Sequence, residues 1–295
     1  MVENMEASPS SRKLVRQFEA GLHILRRDIS GEAQRYKKYQ GTAPEICRKV
    51  IEDRWNGRFF EGGASLFNGQ FWIRDFSLSL DGIMAMGFTS QARQNLAWAA
   101  EVFASNGSIG TTVLGGDTIV DFWNFSADSL PLFLRSLKKA GTHELARKYK
   151  HFLNSEIERY FDEVFDPSTL LVKKENYSTP KDVITRKRTC VANAFMVYLQ
   201  QTLQTDYPFL ANPFADKDLL TSFIETYWVE KDGFFKNDAQ DDRVFLSADA
   251  NVIPYWLGVV KDKKMHLASI NAIRKEKLDQ PFPLKYHAFL NSNWV

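Results

Sequence analysis

Along almost the whole chain apolar residues recur at helical spacing, while clean alternation of apolar and polar residues is scarce, so the core this sequence can build is helical. Near residues 10 to 29, "SRKLVRQFEAGLHILRRDIS" sets Leu14, Phe18, Leu22 and Leu25 on one face behind a serine cap. Further helices are expected over "APEICRKVIEDRW" from Ala43, over "RDFSLSLDGIMAMG", over "SQARQNLAWAAEVFAS" behind a Thr89/Ser90 cap, and over "FSADSLPLFLRSLKKAG". Gly141 and Thr142, as C-terminal and N-terminal cap signals, separate the last of these from "THELARKYKHFLNSEIERYFDEVF". "TRKRTCVANAFMVYLQQTLQ", "DKDLLTSFIETYWV", "ADANVIPYWLGVV" and "MHLASINAIRKEKL" follow, and "KDGFFKNDAQDDRVFLS" between the second and third of these reads as a β-hairpin or rim loop.

The connections are as informative as the helices. Antiparallel hairpins with short turns on one side alternate with long connections rich in Gly and aromatics on the other. That asymmetry suggests an all-α fold, an α/α toroid whose long loops rim a cleft. An α-solenoid shares the hairpins but should show a fixed repeat period, and none is found. The loops at 55–76 and 106–128 are expected to close one pocket. The chain ends on "PFPLKYHAFLNSNWV", which has no helical period. The expectation is therefore one toroid domain over residues 1–295 that stops about two helices short of closure.

Composition removes several functional classes. The longest apolar runs are too short for a bilayer. "MVENMEASPSSRKLVRQ" has polar and acidic residues where a secretory signal needs a basic segment and then an apolar one, so a cytoplasmic location is expected. Cys47 and Cys190 are too few for a disulfide framework or a cysteine-based zinc site and read as small core residues. A net charge of +2 arises from interspersed acids and bases, with no basic stripe for nucleic acid. Neither a metal nor an organic cofactor is expected. Aromatics make up 14% of the chain, and many fall in irregular segments rich in Gly, Asn and Asp, where binding residues tend to sit.

Three motifs stand out in order: "QFWIRDF" at the point where a glycine-rich loop becomes a helix, "DFWNFSADSLPLFLRSL", and "LSADANVIPYWLGVV". Together, over about residues 55 to 285, they resemble the motifs of six-hairpin (α/α)6 glycosidases, a group that includes neutral invertases, glucoamylase-like enzymes, debranching-enzyme glucosidase modules and mannosylglycerate hydrolases. The resemblance implies an inverting hydrolase of a small α-linked glucoside or related sugar, with a small carbohydrate as its partner. It makes Arg74 and Asp75 a clamp on the hydroxyls of the terminal sugar. A carboxylate can accept from two adjacent hydroxyls, a guanidinium can donate to another, and Trp72 offers an apolar face to the ring. On the clamp reading Arg74→Ala should lose sugar while leaving the fold largely intact. The competing reading of the same residues is a salt bridge at a helix N-terminus.

By the same resemblance Asp128, in "SADSLPLFL", stands where the general acid is kept, a carboxyl whose proton affinity apolar neighbours such as Phe125, Leu130 and Phe133 would raise. Helix capping is its alternative role, with Pro131 in the first turn. Asp117 and Asp121 are rivals for the acid, and Asp121 and Trp123 are candidate sugar ligands. Asp249, with Asn251 and Trp256 behind it, is a ligand or a satisfied loop carboxylate. Arg186 and Arg188 read as solvated, with contact to an acidic substrate group as the alternative. Inverting hydrolysis also needs a base roughly 6.5–9.5 Å from the acid, and no residue is assigned to it. Glu175, Glu230 and Asp249 are the candidates within the chain. A catalytically impaired carbohydrate-binding relative or a helical interaction module of this fold is the alternative function.

Overall fold

The computed structural model describes residues 38–62, 67, 69–121, 124–179, 186–239, 244, 246–280 and 285. The helix expected near residues 10 to 29, most of the chain's ending, and Trp123 lie outside them. In chain order the helices are α1 (Ala43–Arg54), α2 (Ile73–Ala85), α3 (Thr89–Asn106), α4 (Ser129–Lys139), α5 (His143–Lys148), α6 (Lys150–Val164), α7 (Cys190–Thr205), α8 (Leu219–Tyr227), α9 (Ala248–Trp256) and α10 (Lys263–Lys275). Each overlaps an expected helical stretch, with ends that run a residue or two past it at Ile73, Asn106, Thr205 and Lys263. "THELARKYKHFLNSEIERYFDEVF" breaks in two at Tyr149, and α7 starts at Cys190 rather than at the head of its stretch.

Alternate helices form an inner layer, in which α2 packs on α4, α4 on α7 and α7 on α9, while α3, α5, α6, α8 and α10 each pack outside the inner helix before them. Sequence explains which helices are inside. "CVANAFMVYL" opens α7 with apolar or small residues on every side, and ten consecutive residues from Cys190 to Leu199 are buried. Ser129 to Leu137 of α4 are likewise all buried. Because every inner helix is followed by an outer one that returns, the inner helices run the same way. Cross-links at both ends agree: Arg74 at the start of α2 bonds Asp128 at the start of α4, and Lys138 at the end of α4 reaches Asp206 at the end of α7, 2.7 Å away.

Helix ends follow local chemistry. Thr42 and Glu45 form a reciprocal capping box at α1. Gly141 adopts the left-handed conformation (φ 67°) that closes α4, as expected from the sequence. The equivalent position after α10 is Lys277, exposed and at φ 51°, with the Leu278 amide closing back on the Ile273 carbonyl. A side chain with a Cβ is strained there. Lys277→Gly is expected to stabilise the protein by about 0.5–1 kcal/mol, read as a higher urea midpoint; an unchanged or lower midpoint would contradict it.

Among the described residues, three small sheets sit between the helices. β1 (Phe71–Trp72), β2 (Thr112–Leu114) and β3 (Thr118–Val120) form an antiparallel sheet in the order β1-β2-β3, pairing Phe71 with Val113 and Thr112 with Val120. Its β2–β3 turn is "GGD", with Gly116 and Asp117 at positive φ. This sheet joins the 55–76 and 106–128 loops. The hairpins β4 (Phe165–Asp166) with β5 (Leu171–Val172) and β6 (Trp228–Val229) with β7 (Phe234–Phe235) complete the strands, and the second lies in and just before the β-like stretch read from sequence. Cys47, expected in the core, is exposed on α1, a helix with no buried residue; Cys190 is buried as expected.

Candidate functional site

The amino ends of the four inner helices gather at one end of the layer, and the loops that lead into them are tied together by single β-bridges. Ser126 pairs with Ser178, Asn176 with Lys187, Thr189 with Asp238 and Lys236 with Leu246. This belt carries the residues expected to act.

At its start, Arg74 and Asp75 part company. They are neighbours on a helix, so their side chains leave it about 100° apart. Arg74 turns inward and grips not Asp75 but Asp128, Nε donating to Oδ2 at 2.6 Å and Nη2 to Oδ1 at 3.0 Å. Nη2 also donates to Ser178 Oγ at 3.2 Å. Ser126 Oγ donates to Asp128 Oδ1 at 2.7 Å and lies 2.6 Å from Ser129 Oγ. Arg74 is 6% exposed and Asp128 has no exposed surface at all. Asp128 occupies the cap position of α4 without capping it by its side chain, because the carboxylate is committed to this cluster. The carboxylate read from sequence as a general acid or a helix cap is thus enclosed and accepts from Arg74 and Ser126. Nearby, burial first, and then the charges of Tyr177 and Asp128, push the Tyr160 hydroxyl well up; it donates to the Ala127 carbonyl at 2.9 Å.

Asp75 faces the other way and is exposed. It lines a cavity of about 190 Å³ between α1 and α2 together with Ile51, Arg54, Phe60, Glu61 and Trp72. Trp72 forms the wall beside Asp75. Its indole Nε1 donates to Gln70 Oε1 at 3.0 Å, and Phe67 stands edge-on to it at 5.1 Å. Gly62 is required for that pose, since a Cβ there would lie 2.4 Å from the indole. Arg54 and Glu61, both of which line the cavity, pair at 3.9 Å. The groove therefore holds two carboxylates, a guanidinium and a partly buried indole. Glu61 and Arg54 were missed in the sequence; only the adjacency of "RFFEGG" to the aromatic loop pointed to them.

The remaining candidates lie elsewhere along the belt. Asp121 Oδ1 accepts from the Thr111 amide at 2.9 Å and hydroxyl at 3.2 Å, and its charge is one of those that favour the Arg159 cation. Asp117, at the β2–β3 turn, pairs with Arg58 at 2.7 Å on the surface. Asp249 is half-buried in the first turn of α9, accepts from the Ala250 amide, and lies near enough to Cys190 to raise its thiol further after burial has done most. Asn251 holds β7, accepting from the Phe235 amide at 2.8 Å and donating to its carbonyl at 2.9 Å. Trp256 stacks on Arg135, the guanidinium 4.0 Å from its ring centre. Of the candidate bases, Glu230 accepts from the Trp228 indole, and Glu175 adds its charge to the burial that pushes the Tyr177 hydroxyl up.

Arg188, expected in solvent, is a second buried anchor, donating to the Val172 carbonyl at 2.8 Å and to Asp166. The Ser168 hydroxyl is the largest influence on Asp166; with the Ser168 amide, Thr169 and Arg188 it outweighs burial and lowers the carboxyl to about 2. A depressed carboxyl contributes stability above its unfolded value and loses it as pH falls through the folded one. The Asp166 contribution should thus be complete above about pH 4 and disappear towards pH 2. Asp166→Asn should remove that part of the acid limb in urea midpoints measured from pH 5 to 2, and an unaltered limb would contradict the assignment.

No protein-family model matches the sequence, and a search of curated proteins finds no match. Solved structures do match. A rhamnosidase from Klebsiella oxytoca with rhamnose bound superposes with a TM-score of 0.57 at 15% identity, over 82% of this chain and 50% of that one. A glycosidase variant in complex with glucose gives 0.59 at 15% identity over 79% and 68%, and the wild-type glycosidase gives 0.56 over the same shares. The chain thus spans half the length of the rhamnosidase. Among the described residues no helix is long and apolar enough to cross a membrane. The fold of this chain is mostly helical and similar to that of glycosidases.

Proposed function

We propose that this chain recognises one pyranose ring of a small glycoside in the groove between α1 and α2, as part of a glycoside-hydrolase-type domain. The observation that carries this reading is the divergence of Arg74 and Asp75: the arginine is used up inside, while the carboxylate is delivered to an exposed groove beside an indole. A carboxylate that accepts from vicinal hydroxyls beside an aromatic face is the chemistry that a sugar requires. The cavity is smaller than the ~300–1,000 Å³ of sites for drug-sized ligands, which suits a single ring. The fold likeness to enzymes whose structures hold rhamnose or glucose supports the same ligand class.

Inverting hydrolysis of a small α-linked glucoside is the reaction such recognition would serve. The enclosure of Asp128 favours recognition over turnover as the part this chain plays, because the residue expected to give the proton is engaged in the interior. The test is ligand-observed NMR with glucose and rhamnose, together with an assay on aryl α-glucosides and sucrose. Binding lost in both Asp75→Asn and Trp72→Ala is the expected result. Binding unchanged in both, or turnover that requires Asp128 as acid, would overturn the reading.

A further inference from the structure

We infer that Arg74 and Asp128 are a positioning pair, which fixes the start of α2 so that Asp75 and Trp72 face the sugar groove. The inference rests on the groove reading above. Three contacts meet at the first turn of α2. Arg74 spans from that turn to the start of α4 through Asp128, and to the 176–179 segment through Ser178. The Ser178 amide and carbonyl in turn bond Phe125 and Ala127, so the loop that holds Arg74's second partner is itself tied to the loop that holds its first. On the other side, β1 is paired with β2, and the Ile73 amide donates to the Thr111 carbonyl. Rotation of α2 about its axis is what would swing Asp75 out of the groove, and a bidentate guanidinium buried one residue away resists that rotation directly. Neither Arg74 nor Asp128 lines the groove, so their effect on a sugar has to pass through Asp75 and Trp72.

The experiment measures glucose and rhamnose affinity by NMR titration for the wild type, Asp75→Asn, Asp128→Asn, Ser178→Ala and Leu203→Ala. The last deletes core volume near the carboxyl end of α7, the end away from the site. If the pair positions the clamp, Asp128→Asn should weaken binding about ten-fold or more. Ser178→Ala, which keeps the charge pair, should weaken it by a smaller factor. Leu203→Ala should leave affinity unchanged although it lowers the melting temperature. Should Asp128→Asn not fold, Ser178→Ala decides: wild-type affinity in that variant overturns the inference. Affinity retained in a folded Asp128→Asn, or lost equally in Leu203→Ala, also overturns it. Wild-type protein that binds neither sugar removes the groove reading and this inference with it. Binding that is lost in Asp75→Asn but untouched in Asp128→Asn and Ser178→Ala removes the inference alone.

Discussion

Arg74→Ala should destabilise the fold by about 3–5 kcal/mol, because it breaks a buried ion pair from one side and leaves the Asp128 charge uncompensated in the interior. The clamp reading of the sequence expects the opposite, a folded protein that has merely lost its sugar. The difference lies in burial. Arg74 is almost fully enclosed, and its partner is completely so. Replacing both partners with apolar residues of similar volume, Arg74→Met with Asp128→Leu, should recover most of the lost stability, since the cost comes chiefly from the orphaned charge. Urea denaturation of the two variants provides the check. A shift below about 1 kcal/mol for Arg74→Ala would place the pair in the class of exposed salt bridges and contradict its burial.

The second large effect is expected at Asn251, where Asn251→Leu should cost about 2–4 kcal/mol. Its amide serves both backbone groups of Phe235 and the Ser247 carbonyl, all in the interior. Leucine keeps the apolar burial but removes the partners, and each buried polar group left unmade costs about 1–3 kcal/mol. Relaxation of the β6–β7 hairpin would recover part of it. The same substitution detaches α9 from β7, so hydrogen exchange at the Phe235 amide should accelerate ahead of the rest of the sheet. Protection of that amide equal to wild type would show that another group takes over the bond.

The helical architecture was legible because long amphipathic or fully apolar segments carry their period on their face. "CVANAFMVYL" has no polar side to show to solvent, and it became the most buried helix. The short strands were not legible. "TTVLGGDTIV" holds two β-branched triplets around a glycine turn, yet three residues give too short a period to separate from a glycine-rich loop. Site residues divided in the same way. That "WIRDF" at a loop-to-helix junction matters was visible; that Arg74 would look inward and Asp75 outward depends on which face of α2 meets α4, a tertiary fact. The contact with Asp128 spans 54 positions in sequence, and nothing local to "SADSLPLFL" distinguishes a carboxylate that caps, donates a proton or anchors an arginine. Ser178 lies in a stretch with no periodic signal and Arg188 at the head of a stretch read as helix, just before the helix begins, and their roles come from the bridges that stitch the loops together.

A crystal structure of the protein soaked with glucose tests the central claim most directly. A pyranose is expected in the groove between α1 and α2, its ring against Trp72 and a carboxylate oxygen of Asp75 within hydrogen-bonding distance of its hydroxyls, with the Arg74–Asp128 pair unbroken behind it. Sugar bound instead beside Asp121 or Asp249, or a sugar hydroxyl in contact with Asp128 in place of Arg74, would contradict it.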